Sequence, residues 1–484
     1  MNVKAISINV GKALLVSALF MLLSIIVSIA DGRDSSFGPL VISFVITLIV
    51  GAFPFIFVRK SHPLSLQDGY FTVFLSWMLS FIFGMLPYVL WGGEFTLINA
   101  WFESVSGYTT TGSTILSDVE ALPKGLLFWR SSTHFIGGLG VVVFLLLVLP
   151  EASPYRLKLT NMELSSLSKE GYRFRSSKTV IIIFGVYIGI VVSSMMAFWV
   201  AGMSFFDAVN HAFSITATGG FSTKNLSLAY YDSALIDGIA MFFMLLSATH
   251  FGLIFAVVVN RSLRPLFTNS VFRWYIGIVV SMTMLITVSL LSKGGYTSFC
   301  KALFDSAFNV ISYISTTGFA ICDNSAWPWL AGLVLMLASF HCGCSGSTSG
   351  GIKVDRVMIT SKALFCEIRR RLHPSSVTSV RIDGHLLQEK EVRNVLLYVA
   401  VYFALIYLSV LIVSFTGVDM TSSVSGVMAS MGNVGPGLGS VSAMCNYGAQ
   451  PVIAKIVYTF DMFLGRVEIY PVLIIFSLLF NRNR

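Results

Sequence analysis

The stretch SGYTTTGSTI, Ser106–Ile115, lies between two long apolar segments. Three consecutive threonines and a glycine make a weak helix and contribute little to an apolar core. A short, small, polar loop in such surroundings needs a reason.

The surroundings are those of a membrane protein. The 484 residues are 55% hydrophobic and 11% charged, with a mean hydropathy of +0.80. Soluble domains carry about 25% charged residues. Apolar runs of about 20 residues span a bilayer as helices. The alternating strands of about ten residues that a membrane barrel requires are not seen. Ten segments are predicted to cross, near 13–30, 39–58, 70–92, 126–149, 179–201, 235–259, 274–292, 327–345, 395–415 and 454–480. The first is read as an uncleaved span rather than a signal peptide.

Lysine and arginine set the orientation. With the N-terminus inside, the inner segments carry Lys4, Lys12, Arg59, Lys60, the cluster from Arg156 to Lys178, Arg261, Arg264, Arg273, the run from Lys353 to Arg393 with its IRRRLH, and Arg482 and Arg484. Both termini are therefore expected in the cytoplasm.

Working outward from Thr110-Thr111-Gly112, the same pattern recurs three times. It reads Ala217-Thr218-Gly219, followed by a second Gly220, then Thr316-Thr317-Gly318 and Asn433-Val434-Gly435. Each core follows a short amphipathic stretch and precedes another apolar segment. One unit is span, re-entrant half-helix, polar loop, span. The expected fold is an all-α polytopic membrane protein with ten transmembrane helices, four parallel units around a central pore and two extra N-terminal helices. The boundaries expected are 1–66 for those two helices, then 67–155, 156–268, 269–375 and 376–484 for the four units.

Irregular backbone at membrane depth is tolerated where protein buries it or where it lines a wet cavity. Four equivalent loops about one axis line a pore. Glycine permits dihedrals that turn carbonyl oxygens toward the axis, and rings of carbonyls replace the hydration shell of a cation. The half-helices point their C-terminal, partially negative ends inward, which favours cations over anions. Below them, Gly343, Gly346, Ser347, Thr348, Ser349, Gly350 and Gly351, followed by Lys353, interrupt what would otherwise read as one helix through 327–345 and 354–372. A broken helix with its middle under the pore is expected. GSTSGGIK lacks the P-loop frame, so any nucleotide would be bound by another chain. Arg466, near the middle of the last span, is costly in lipid. It belongs either to a buried ion pair or to the cavity below the loops. His134, His250 and His341 are expected to pack rather than to bind metal. The Cys342-x-Cys344 pair lacks the second pair that a zinc site needs, and a disulfide between Cys300 and Cys322 is left open. No nucleophile–base set or ATP motif is visible, so no enzymatic activity is expected.

Four one-glycine loops on one chain, with TTTGST, ATGGFST and GNVGPGLG, resemble the superfamily of K+ transporters that includes TrkH, KtrB and the plant HKT proteins. The two extra N-terminal spans are most similar to the bacterial TrkH branch. The resemblance covers essentially the whole chain. It implies K+ uptake across the bacterial inner membrane, with these four loops as a filter, the 343–353 segment as an intramembrane gate and Arg466 as a barrier below the filter. It also implies a homodimer and a cytoplasmic TrkA-type regulatory ring that binds nucleotides. Potassium is the only ion implied, and no organic cofactor or nucleic acid is. Na+-selective plant members carry Ser at the first filter glycine, so Gly112 favours K+. The alternatives are a K+ symporter coupled to H+ or Na+, and a non-conducting receptor or scaffold with this fold.

Overall fold

The computed structural model describes residues 2–58, 66–140, 176–293, 295–376, 378–467 and 469–480. The end of the expected 126–149 span and most of the basic segment from Arg156 to Lys178 lie outside the described residues. So do Arg59, Lys60, Arg482 and Arg484.

Two long helices open the chain, α1 (Val3–Ala30) and α2 (Phe37–Phe57). They approach closely through Gly11 and Gly51, as small residues allow between membrane helices. There follow α3 (Leu66–Gly84), α4 (Leu86–Trp91), α5 (Leu97–Tyr108) and α6 (Lys124–Leu139). The second quarter holds α7 (Ser176–Val200), α8 (Phe205–Thr216), α9 (Ala234–Ser247), α10 (Phe251–Asn260) and α11 (Arg264–Thr268). The third holds α12 (Ser270–Lys293), α13 (Phe299–Ile314), α14 (Trp329–His341) and α15 (Val354–Leu372). The last holds α16 (Glu389–Phe415), α17 (Met420–Gly432), α18 (Val452–Val467) and α19 (Ile469–Phe480).

Among the described residues, six helical segments are long and apolar enough to cross a membrane, or seven if the bent pair α9 and α10 counts as one span. Ten spans were expected, one of which, 126–149, lies partly outside the described residues. The segment expected to cross at 235–259 is bent by 103° between α9 and α10. The cause is tertiary. The segment after α14 inserts there, with the Cys344 N–H donating to the Ala248 carbonyl at 2.8 Å and the Phe251 N–H to the Gly346 carbonyl at 3.0 Å. His250 caps the new helix start, its Nδ1 accepting from the Gly252 N–H at 2.9 Å. The segment expected at 327–345 is helical only over Trp329–His341.

An all-helical chain was expected, yet a small antiparallel hairpin joins β1 (Arg381–Ile382) to β2 (His385–Leu386). Asp383 and Gly384 both have positive φ, 48° and 85°, the requirement of a type I′ turn that Asp-Gly satisfies. Cys300 and Cys322 are both free.

Four short helices, α5, α8, α13 and α17, are 12, 12, 16 and 13 residues long. At 1.5 Å per residue they reach about 18–24 Å, too short for a bilayer core of about 30 Å. Each begins on a side-chain cap, from Thr96, Ser204, Ser298 and Asp419, accepting from the N–H three residues on. Caps of this kind satisfy donors that a helix end leaves open. Two apolar clusters flank these helices. One joins the N-terminal helices with the first and fourth quarters, and the other joins the second and third. The outer surface is apolar, with Ile49, Phe53, Val200, Val288 and Leu408 more than half exposed.

Candidate ion-conduction site

The four short helices end in one way. Thr111 N–H donates to Ser106 O at 2.9 Å, Gly219 to Ser214 at 2.8 Å, Thr317 to Ser312 at 2.9 Å and Val434 to Ala429 at 2.9 Å. The preceding residue donates to the carbonyl three back in every case, at 3.0, 3.2, 3.1 and 3.1 Å. This is a Schellman closure, which needs a left-handed residue at the first position beyond the cap. Here that residue is Thr110, Thr218, Thr316 or Asn433, with φ of 52°, 55°, 61° and 54°. Two residues later comes a glycine of positive φ: Gly112 at 80°, Gly220 at 84°, Gly318 at 77° and Gly435 at 98°.

This geometry corrects the register of the second loop. The expected triplet Ala217-Thr218-Gly219 is displaced by one. Ala217 is the helix cap, at φ −76°, and the strand residues are Thr218-Gly219-Gly220. Two adjacent glycines allowed either alignment on paper. The left-handed residue fixes it, because Thr218 matches Thr110, Thr316 and Asn433.

The four strands close on one another. A Cβ placed on Gly112 would stand 1.9 Å from the Gly219 carbonyl oxygen, and on Gly220, 2.1 Å from that of Thr317. On Gly318 it would stand 2.1 Å from that of Val434, and on Gly435, 2.4 Å from that of Thr111. Each glycine thus leaves room for the next strand's carbonyl, and the circuit returns to its start. One cavity of about 190 Å³ is lined by Gly112, Gly220, Gly318 and Gly435 together with Ser113, Thr114 and Ser222.

Behind the strands the short helices present polar side chains at one register. Glu103 accepts from Thr114 Oγ1 at 3.0 Å and from the Ile115 N–H at 3.1 Å. It pairs with Arg130 at 2.8 Å, the two side chains being 0% and 2% exposed. Arg130 lies over the Phe221 ring at 4.0 Å and donates to the Ser222 carbonyl at 3.3 Å. His211 Nε2 and Ser222 Oγ are 2.9 Å apart, and Asn309 Oδ1 accepts from Asn324 at 3.4 Å. Sequence reasoning missed Glu103 and Arg130, which strap the first and second strands to the same pair. His134 packs as expected, stacked on Phe221 at 4.1 Å with Nδ1 3.0 Å from Ser214 Oγ. Among the described residues no cluster of three or more His, Cys, Asp or Glu side chains could hold a metal ion. At the loop tips, Asn225 donates to Asp118 at 2.8 Å, and this hydrogen bond holds the exposed Asp118 carboxyl below its ordinary range.

The interrupting segment runs from Cys342 to Lys353, where Lys353 enters α15 at φ 75°. It lies directly under the strands. Thr348 Oγ1 donates to the Thr216 carbonyl at 2.9 Å, and the Gly350 N–H donates to Thr316 Oγ1 at 3.1 Å. A Cβ on Gly350 would stand 2.5 Å from Asn433 Oδ1. Ser347 and Ser349 bond each other at 2.9 Å and stiffen the turn. Gly343 sits against the Ala248 carbonyl, Gly346 against the His250 ring and Gly351 against Cys342. The buried Arg466 donates to the Thr348 carbonyl and, at 3.0 Å, to that of Gly137. These two contacts join Arg466 to backbone carbonyls of the interrupting segment and of α6. Asn433 donates to Thr111 Oγ1 at 3.1 Å and to the Met462 carbonyl at 2.8 Å, tying the fourth strand to the first.

The chain is similar to known cation transport proteins along its whole length. A family model described as TrkH, cation transport protein, matches residues 39–483. The Trk system potassium uptake protein TrkH of Halomonas elongata is 34% identical over the whole of both chains. That of Salmonella typhimurium is 32% identical, again over the whole of both. The crystal structure of the potassium transporter TrkH from Vibrio parahaemolyticus superposes with a TM-score of 0.90 at 31% identity, covering both chains completely. The chain belongs to the TrkH family of cation transport proteins.

Proposed function

We propose that this chain carries K+ into the cell through a channel-like pore whose filter is formed by Thr110-Thr111-Gly112, Thr218-Gly219-Gly220, Thr316-Thr317-Gly318 and Asn433-Val434-Gly435. The carrying observation is the closed circuit in which each filter glycine makes room for a carbonyl of the next strand. The carbonyls of Thr111, Gly219, Thr317 and Val434 accept no protein hydrogen bond among the described residues. Oxygens so arranged are available to a dehydrated cation. The membrane potential supplies the driving force, roughly 2.3 kcal/mol per charge per 100 mV. Four parallel span, half-helix, strand and span units around one axis account for the shared caps and Schellman closures.

The segment from Gly343 to Lys353 is the gate, and Arg466 is its latch and an electrostatic barrier. The Thr348, Gly350 and Arg466 contacts below the strands support a closed conformation. The names of the relatives point to a Trk system with further components. A homodimer and a cytoplasmic nucleotide-binding ring acting on the gate fit the basic inner segments and the absence of a nucleotide motif in this sequence.

Flux of K+ and Na+ into vesicles holding the purified protein, at defined voltage, tests the reading. K+ uptake that follows voltage without proton movement supports it. Proton movement in fixed ratio to K+ supports the symporter, and absence of cation flux with and without a regulatory ring supports the scaffold.

A further inference from the structure

The four filter glycines are not equivalent as oxygen donors. The carbonyls of Gly112, Gly220 and Gly318 accept no protein hydrogen bond among the described residues. The Gly435 carbonyl accepts two, from Tyr447 Oη at 2.9 Å and from Ser113 Oγ at 3.0 Å. A carbonyl oxygen has two lone pairs, and here both are engaged.

Both donors are held firmly. Tyr447 is 2% exposed and Ser113 3%. The Tyr447 N–H donates to the Thr114 carbonyl at 2.8 Å, and its ring packs on Phe102 and Tyr458 at 5.3 Å each. The asymmetry has a sequence origin. The residue after the filter glycine is Ser113 in the first strand but Phe221, Phe319 and Pro436 in the others. Only serine offers a side-chain donor to the neighbouring carbonyl.

Resting on the filter reading proposed above, we infer that Tyr447 and Ser113 withdraw the Gly435 carbonyl from the conduction path, leaving the outer, glycine-level cation site with three protein carbonyls instead of four. Tyr447 and Ser113 are then positioning residues that set affinity at the outer mouth. With one oxygen missing, the outer site holds K+ weakly and keeps part of the ion's hydration, while the site formed by Thr111, Gly219, Thr317 and Val434 keeps four oxygens. A weak outer site favours rapid loading of the inner one, since conduction needs binding that is also easily left.

The test compares Tyr447→Phe, Ser113→Ala and the double variant with the parent in reconstituted vesicles, measuring uptake against external K+. Both substitutions keep the packed volume and remove only a hydroxyl. Freeing the carbonyl adds a ligand to the outer site, so KM for external K+ falls by roughly fivefold in the double variant, on the scale of one recovered polar contact. Each single variant falls between, and maximal flux does not rise. A merely structural role would lower flux and thermal stability without lowering KM. An unchanged or raised KM in variants that elute and melt like the parent overturns the inference. Gly318→Ser, on a strand neither donor touches, separates the two readings. If it abolishes K+ over Na+ discrimination while the double variant keeps the parental KM, only the withdrawn carbonyl is refuted. If Gly318→Ser retains full discrimination, the filter reading falls and the inference with it.

Discussion

Replacing Gly112 by serine tests the proposed filter at its tightest point. Gly112 has φ 80°, a conformation in which a Cβ is strained by about 1–2 kcal/mol. The larger effect is steric. The new Cβ would stand 1.9 Å from the Gly219 carbonyl oxygen and 3.0 Å from its carbon, where ordinary contact begins at 3.4 Å. One strand must therefore retreat by roughly 1.5 Å at the ring of carbonyls proposed to hold the ion. A loss of about 1.4 kcal/mol in the difference between K+ and Na+ binding is tenfold in selectivity. A displacement of this size costs at least that much, so K+ over Na+ discrimination drops about tenfold or more. The assay is competitive K+ and Na+ flux in vesicles at fixed voltage, with protein that remains monodisperse. Parental discrimination in such protein would refute the placement of Gly112 against Gly219.

Arg466→Ala removes the donors to the Thr348 and Gly137 carbonyls and should raise K+ flux in the absence of any regulatory ring. An unaltered rate would argue for a structural arginine. Deleting three residues within 345–351 should break the contacts from Thr348 and Gly350 to the strands and leave the pore leaky, and a variant as tight as the parent would remove the gate assignment. Glu103→Gln leaves Arg130 buried without its charge partner, which should cost about 3–5 kcal/mol. The check is a clear fall in the unfolding temperature of the purified protein, partly recovered when Arg130→Met is added. No fall would mean that the pair is not holding the first two strands.

The polar loops were legible in the sequence because four similar triplets followed four amphipathic stretches, a pattern that no single loop could carry. The break after α14 was legible because Gly343, Gly346, Gly350 and Gly351 cannot sustain a helix. What failed was whatever depends on contacts across the fold. The bend after Ser247 involves no proline, and it exists because the Cys344 and Phe251 hydrogen bonds replace those of a continuous helix. The second loop slipped by one residue because Gly219 and Gly220 are interchangeable until Thr218 is seen in the left-handed region. Glu103 and Arg130 stand in separate segments, and neither spacing nor composition pairs them. The Asp383-Gly384 turn, by contrast, carried a readable hairpin signal that the membrane pattern overshadowed.

The most direct test of the central claim is to locate the ion. Crystals grown in Rb+ should show anomalous density on the axis enclosed by Gly112, Gly220, Gly318 and Gly435, next to the Thr111, Gly219, Thr317 and Val434 carbonyls. Rb+ density confined to other parts of the protein, with that axis empty at saturating Rb+, would contradict the account.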